Sequence, residues 1–124
     1  MRQQGGGSII NVSSNVSKMA IPTIGAYAAT KYALNGLTLT ARGELADDDI
    51  VVTVMYPGQT ATSFGRNATV DQSMTSAPPP SGSSNTTPDT AQDVAEQILE
   101  AIINGPAEQY MSAEMEQRFS MRGA

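Results

Sequence analysis

Tyr27 and Lys31 stand four residues apart in the run Gly25-Ala26-Tyr27-Ala28-Ala29-Thr30-Lys31. On a helix that spacing puts both side chains on one face, a turn apart. A lone tyrosine carries protons poorly near neutrality, because its reference pKa is about 10. A neighbouring ammonium favours the phenolate. Bringing the value to about 7 takes roughly 4 kcal/mol, at about 1.4 kcal/mol per unit. A lysine supplies part of this, and a bound cofactor carrying positive charge could supply more. Taken alone, the pair equally fits a surface tyrosine packed on a lysine stem. Ser14 adds a hydroxyl 13 residues before Tyr27, at the end of a β-branched run. There it could hold a substrate oxygen while Tyr27 moves a proton. Pro57-Gly58-Gln59-Thr60-Ala61-Thr62 ends a second β-branched run. Gly58 lets another molecule approach the backbone closely. Backbone amides there, with the Thr62 hydroxyl, could bind a carboxamide or a phosphate.

The residues that are missing narrow the chemistry further. The 124-residue chain has no histidine and no cysteine. Ser-His-Asp and Cys-His nucleophile systems are therefore excluded. So are the usual zinc, haem and iron–sulfur ligand sets, and no metal ligand is assigned. No Gly-x-Ser-x-Gly or Ser-x-x-Lys run supports a hydrolase. Twelve acidic against seven basic residues give a net charge of −5, which argues against nucleic acid. No apolar stretch approaches the length of a membrane span, and the first residues lack the apolar core of a signal peptide. Four Asn-x-Ser/Thr triplets, at Asn11, Asn15, Asn67 and Asn85, read as chance matches in a chain without an export signal. The expected location is cytoplasmic, with no membrane partner.

The elements that must position these residues are legible from patterning. Ser8 to Ser14 reads as a buried strand following a glycine cluster. Thr23 is a candidate cap for a helix from about Ile24 to Ala46. Ala26, Ala29, Ala33, Leu34, Leu37, Ala41 and Leu45 recur at helical spacing and are expected on one packed face. Gly36 breaks that helix only at a cost of about 1 kcal/mol. Asp47-Asp48-Asp49 sets three negative charges at the already negative helix end. Ile50 to Tyr56 is the clearest strand, with the near-continuous β-branched character of a strand covered on both faces. From Ser73 to Pro88, 14 of 16 residues are Ser, Thr, Pro, Gly or Asn, which marks a long low-complexity loop, taken as 65–88. A second helix is expected to start with Thr87 as cap and Pro88 first. It is lined by Ala91, Val94, Ala95, Ile98, Leu99 and Ile102, and ends at Gly105-Pro106. Ala107 to Met111 reads as a last short strand, and 113–124 as a loose polar tail. Strand, helix, strand, long loop, helix, strand is the order of an α/β fold with a parallel sheet. Ser14 and the Pro57-Gly58 turn then share the carboxyl edge, where open α/β sheets bind ligands.

At this point three motifs coincide in order. Gly5-Gly6-Gly7-Ser8-Ile9-Ile10-Asn11-Val12-Ser13-Ser14, then Gly25-Ala26-Tyr27-Ala28-Ala29-Thr30-Lys31-Tyr32-Ala33-Leu34, then Pro57-Gly58-x-x-x-Thr62 resemble the short-chain dehydrogenases/reductases. The resemblance runs from about Gly5 to Phe64 and more loosely over Pro88 to Met111. It implies that Tyr27 is the general acid/base of an alcohol–carbonyl conversion. It implies that Lys31 lowers the pKa of Tyr27 and holds the nicotinamide ribose, and that Ser14 orients the substrate oxygen. It implies NAD or NADP as cofactor, contacted by Tyr27, Lys31, Pro57, Gly58, Thr60 and Thr62. The family usually carries Val or Ile where Thr60 stands, and often a glycine where this helix ends in Asp47–Asp49.

The family's first half has no counterpart in the chain. A complete dinucleotide fold has two βαβαβ halves and a glycine-rich turn after its first strand. No such turn occurs, because Gly5-Gly6-Gly7 precedes a strand. The expectation is the C-terminal half of a doubly wound Rossmann-type sheet over residues 1–112, with Met1 an internal methionine of a longer enzyme. The first strand would then be an exposed edge. Two functions follow. One is the catalytic half of an NAD(P)-dependent oxidoreductase acting on a small alcohol or carbonyl compound. The other is a non-catalytic remnant serving in packing or dimerisation, as a homo-oligomer built through the helix that carries Tyr27 and Lys31.

Overall fold

The computed structural model describes residues 1–60 and 88–121. The low-complexity segment lies largely outside these, as do Thr62 and Thr87. Three parallel strands form one sheet in the order β1 (Gly7–Val12), β2 (Ile50–Tyr56), β3 (Glu108–Tyr110). Helices α1 (Gly25–Glu44), α2 (Ala91–Asn104) and α3 (Ala113–Ser120) surround it. Short 3-10 turns occupy Arg2–Gln4, Asn15–Lys18 and Ala46–Asp48. The α/β class and the parallel Rossmann-type sheet expected from the sequence are the ones observed.

Strand alternation assigns the layers. Asn11 of β1 pairs in register with Val54 of β2, so both point to one face, and Asn11 bonds to Thr38 of α1. Val51 points to the opposite face and lies against Gly105 at the end of α2. Gln109 of β3 reaches Gln97 of α2 on that same side. The sheet thus has a helix on each face, and β2, covered on both, is the most buried element. Strand β1 is not the buried strand its patterning suggested but the exposed edge that was also expected. It is only partly covered, with Val12 42% exposed, because it stands at the sheet edge and pairs on one side among the described residues. Gly6 must be glycine: at φ 111 a β-carbon would lie 2.3 Å from the Asp49 carbonyl.

Helix α1 also corrects the sequence reading. Its inward face is polar. Tyr27, Lys31, Asn35, Thr38 and Arg42 follow one another at spacings of three and four on one face, with Asn35 buried and Thr38 fully buried. Of the stripe expected inside, Ala26, Ala29, Ala33 and Leu37 are exposed, whereas Leu34, Ala41 and Leu45 are partly buried. The reason lies in β1, which presents Asn11 and Ser13 to the helix and so requires partners rather than methyl groups. Thr23 does not cap α1. Ile24 holds that position without a side-chain bond, and Thr23 sits at φ 75. Arg42, a turn beyond Thr38, donates to the carbonyls of Val52, Gly105 and Pro106. It joins α1 to β2 and to the carbonyl-rich end of α2. Asp49 takes the left-handed conformation at φ 55, the geometry that makes glycine common there. Asp48 pairs with Arg2 at 2.7 Å.

The cap of α2 is Thr90, not Thr87. Thr90 and Asp93 bond reciprocally in a capping box, which satisfies the free amides better than a start at Pro88 could. The helix packs through Val94, Ile98 and Ala101, whereas Leu99, Ile102 and Ile103 are exposed. The segment read as a loose polar tail contains α3. Ser112 caps it, and Phe119 is buried against Tyr110, which stacks on Tyr56 at 4.9 Å. No helix among the described residues is long and apolar enough to cross a membrane.

Below this aromatic stack Glu108 gathers two donors. Its carboxylate accepts from Lys18 Nζ and from the Tyr56 hydroxyl, both at 2.6 Å. Burial works to raise the Glu108 pKa, but these bonds outweigh it and hold the group below the ordinary glutamate range. Burial, reinforced by the bond to Glu108, pushes the Tyr56 hydroxyl up. A depressed carboxylate stabilises the fold above its unfolded pKa and loses that contribution as pH falls through the folded value. Glu108→Gln should therefore cost about 2 kcal/mol at pH 7. The gap to the parent should close as pH drops below about 4. Urea unfolding from pH 3.5 to 7 reads this directly, and a gap that stays constant with pH would contradict the assignment.

Candidate active site

The two β-strand ends bring the site together. Ser13 N–H donates to the Met55 carbonyl at 2.8 Å, and Asn15 N–H donates to the Pro57 carbonyl at 3.0 Å. The parallel ladder thus continues one step past each strand. It sets Ser14 beside the Pro57-Gly58 turn at the carboxyl edge. Ser14 is 9% exposed and caps the turn Asn15–Lys18 in an extended conformation. Its Oγ accepts from Val16 N–H at 3.3 Å. A hydroxyl that accepts in this way keeps its own proton available for a substrate oxygen.

Helix α1 delivers the other two residues to the same edge. Tyr27 stands in its first turn and is half-buried. Lys31 Nζ donates to the Val12 carbonyl at 3.1 Å, two residues before Ser14. The ammonium also lies 5.8 Å from the centre of the Tyr27 ring, within cation–π range. Lys31 is therefore the link between the tyrosine and the strand end. Because β1 residues alternate between its edges, Val12 points its carbonyl away from β2 if Ser13 points towards it. The lysine thus rests on the uncovered edge of β1, where a hydroxyl-bearing ligand could exchange for the carbonyl.

The turn after β2 is closed by a residue the sequence did not single out. Asp89 N–H donates to the Gln59 carbonyl at 2.9 Å, and Thr60 and Asp89 pair as an isolated parallel bridge. The Asp89 carboxylate lies close against Gly58. A β-carbon at Gly58 would lie 2.8 Å from Asp89 Oδ2, so any other residue there would displace the carboxylate. Burial raises the Asp89 pKa, the nearby Asp93 charge adds to it, and the Gly58 amide opposes both. Thr60 Oγ1 lies 3.4 Å from the Gly58 carbonyl. Of the expected residues, Ser14, Tyr27, Lys31, Pro57, Gly58 and Thr60 fall at one end of the sheet. Thr62 lies outside the described residues.

Behind Ser14 is a polar cluster that motif reading passed over. Ser13 Oγ donates to Asn35 Oδ1 at 2.6 Å, and Asn35 Nδ2 donates to Ser17 Oγ at 2.9 Å. Ser17 Oγ in turn donates to the Ser14 carbonyl at 2.6 Å. One signal could have revealed it: Asn35 follows Lys31 by four residues, as Lys31 follows Tyr27, so the three share a face.

Comparison with known proteins places this arrangement. A family model described as short chain dehydrogenase matches residues 1–73. A 3alpha-hydroxysteroid dehydrogenase of Mediterraneibacter gnavus is 47% identical over 62 residues, covering 50% of this chain and 25% of that protein. Dehydrogenase/reductase SDR family member 4 of Bos taurus is 42% identical over 66 residues, covering 53% of this chain and 24% of that one. A short-chain dehydrogenase from Burkholderia cenocepacia, solved in complex with NADP, superposes with a TM-score of 0.73 at 29% identity. It is matched over 98% of this chain and 46% of its own. The chain thus spans less than half of that structure, and its matched stretches amount to about a quarter of the curated relatives. Because that family model matches residues 1–73, more than half of the sequence, the chain belongs to the short-chain dehydrogenase family.

Proposed function

We propose that this chain is the catalytic half of an oxidoreductase that interconverts an alcohol and a carbonyl compound with NAD or NADP. The observation that carries the reading is the meeting of Ser14, Tyr27 and Lys31 at the carboxyl edge, with Lys31 bonded to the strand end that bears Ser14. The residues present fit a nicotinamide nucleotide. An ammonium stands ready for ribose hydroxyls, and a glycine turn exposes backbone beside it. When bound, such a cofactor supplies or takes the hydride. The chain's own residues handle the proton and the geometry. Tyr27 gives a proton to the carbonyl oxygen, or removes it from the alcohol, at its hydroxyl. Lys31 favours the phenolate form by its charge. Ser14 donates to the same substrate oxygen and fixes its direction. The N-terminal βαβαβ half, with the glycine-rich phosphate turn, would belong to the longer protein.

A second reading has one observation in its favour. The outer face of α1 exposes Tyr32, Leu37 (66% exposed) and Leu39 beside Ala29 and Ala33. A remnant without catalysis could associate through that face with a second copy of the chain.

Two measurements test these readings, and the second separates them. Titration of the purified 124-residue chain with NADH and NADPH, followed by cofactor fluorescence, should show no saturation below about 1 mM, since one half-site lacks the pyrophosphate cradle. In the enzyme completed by its N-terminal half, Tyr27→Phe should lower kcat by about 10²–10⁴-fold. Its cofactor Kd should stay within about threefold, because the hydroxyl acts in the transition state rather than in binding. Full activity in that variant would remove Tyr27 from the chemistry. A completed protein with no cofactor-coupled turnover on any alcohol or carbonyl compound would favour the packing module.

A further inference from the structure

The polar cluster behind Ser14 has a directional logic. Ser17 Oγ, with 0% exposure, donates its only proton to the Ser14 carbonyl at 2.6 Å, so it must accept from its other neighbour. That neighbour is Asn35 at 2.9 Å, which fixes Nδ2 towards Ser17 and Oδ1 towards Ser13. Ser13 then donates to Oδ1 at 2.6 Å, the shortest of its contacts. No buried side-chain polar atom among the described residues lacks a partner. One amide on α1 therefore holds the chain immediately before Ser14 and three residues after it. It does so from the turn that follows Lys31, whose own carbonyl lies 3.3 Å from Ser13 Oγ.

We propose that Asn35 is a positioning residue for Ser14: its amide, through Ser13 and Ser17, locks the strand end that carries the Ser14 hydroxyl to the helix that carries Tyr27 and Lys31. The inference rests on the dehydrogenase reading for its catalytic consequence, and on geometry alone for the clamp. An apolar residue at position 35 would fill the space but remove the acceptor for Ser13 and the donor to Ser17. An aspartate would keep the acceptor for Ser13 and lose the donor to Ser17, whose proton would then turn from the Ser14 carbonyl to the carboxylate. In either case the hydroxyl of Ser14 loses its fixed direction, while Tyr27 and Lys31 keep theirs.

The test uses Asn35→Asp and Ser17→Ala, with Thr38→Val as the comparison. Thr38 is buried on the same face of α1 and bonds Asn11, away from Ser14. In the completed enzyme, Asn35→Asp and Ser17→Ala should each lower kcat by about tenfold or more, with substrate KM and cofactor Kd within about threefold. The double variant should cost no more than either single one, because both cut the same connection. Thr38→Val should leave kcat within about threefold. An equal kcat loss in Thr38→Val would reduce Asn35 to a general structural role and overturn the proposal.

Amide exchange in the 124-residue chain reads the clamp without activity. Val16 N–H, which bonds Ser14 Oγ, should exchange at least about tenfold faster in Asn35→Asp, while the amides of Ile50 to Tyr56 keep their rates. Unchanged Val16 exchange would overturn the clamp. A completed parent enzyme without turnover, combined with the Val16 effect, would uphold the clamp and reject the dehydrogenase reading alone.

Discussion

The structure depends on a polar seam between one helix and one strand. Residues 27, 31, 35, 38 and 42 of α1 fall on a single face, and Lys31, Asn35, Thr38 and Arg42 meet the strands and their ends through hydrogen bonds. Burying such groups unpaired would cost on the order of 1–3 kcal/mol each. Every member therefore has to find its partner, and that requirement permits one register of helix against sheet. An apolar seam would tolerate a slide along the helix axis with modest loss. A hydrogen-bonded one does not. The register it selects carries Lys31 to the Val12 carbonyl at one end and Arg42 to the carbonyls closing α2 at the other. The positions of Tyr27 and Ser14 follow from it.

Much of this was legible in the residues. The strand Ile50–Tyr56 declared itself by continuous β-branched character, and β3 lies within the short strand read at Ala107 to Met111. The first motif runs through β1 to its end, the second opens α1, and the third begins where β2 stops, with Thr62 outside the described residues. The helix face was misread because Ala26, Ala29, Ala33 and Leu37 have the periodicity of a core stripe. Periodicity alone cannot say which of two interleaved stripes turns inward. That choice depends on Asn11 and Ser13, which lie more than 20 residues away in sequence from the side chains they meet. The bond between Lys18 and Glu108, 90 residues apart, left no local signature. The helix at Ala113–Ser120 was missed because its polar face dominates the composition and one buried aromatic, Phe119, anchors it.

The same seam explains why apolar side chains remain outside. With the inner face of α1 committed to hydrogen bonds, Leu37 and its neighbours face away from the sheet. Leu99, Ile102 and Ile103 of α2 do the same on the other side. Together with the partly covered β1 edge, they leave apolar surface exposed among the described residues.

The central claim is that the seam delivers Tyr27, Lys31 and Ser14 to one bound nicotinamide nucleotide. A crystal structure of the completed enzyme with NADP and a carbonyl ligand tests it most directly. The account predicts Lys31 Nζ on ribose hydroxyls, and the Tyr27 and Ser14 hydroxyls both within hydrogen-bond reach of the ligand oxygen, at about 2.6–3.2 Å. It also predicts that the Asn35 amide still joins Ser13 to Ser17. A cofactor seated away from the carboxyl edge of β1 and β2, or a ligand oxygen beyond the reach of Tyr27, would contradict it.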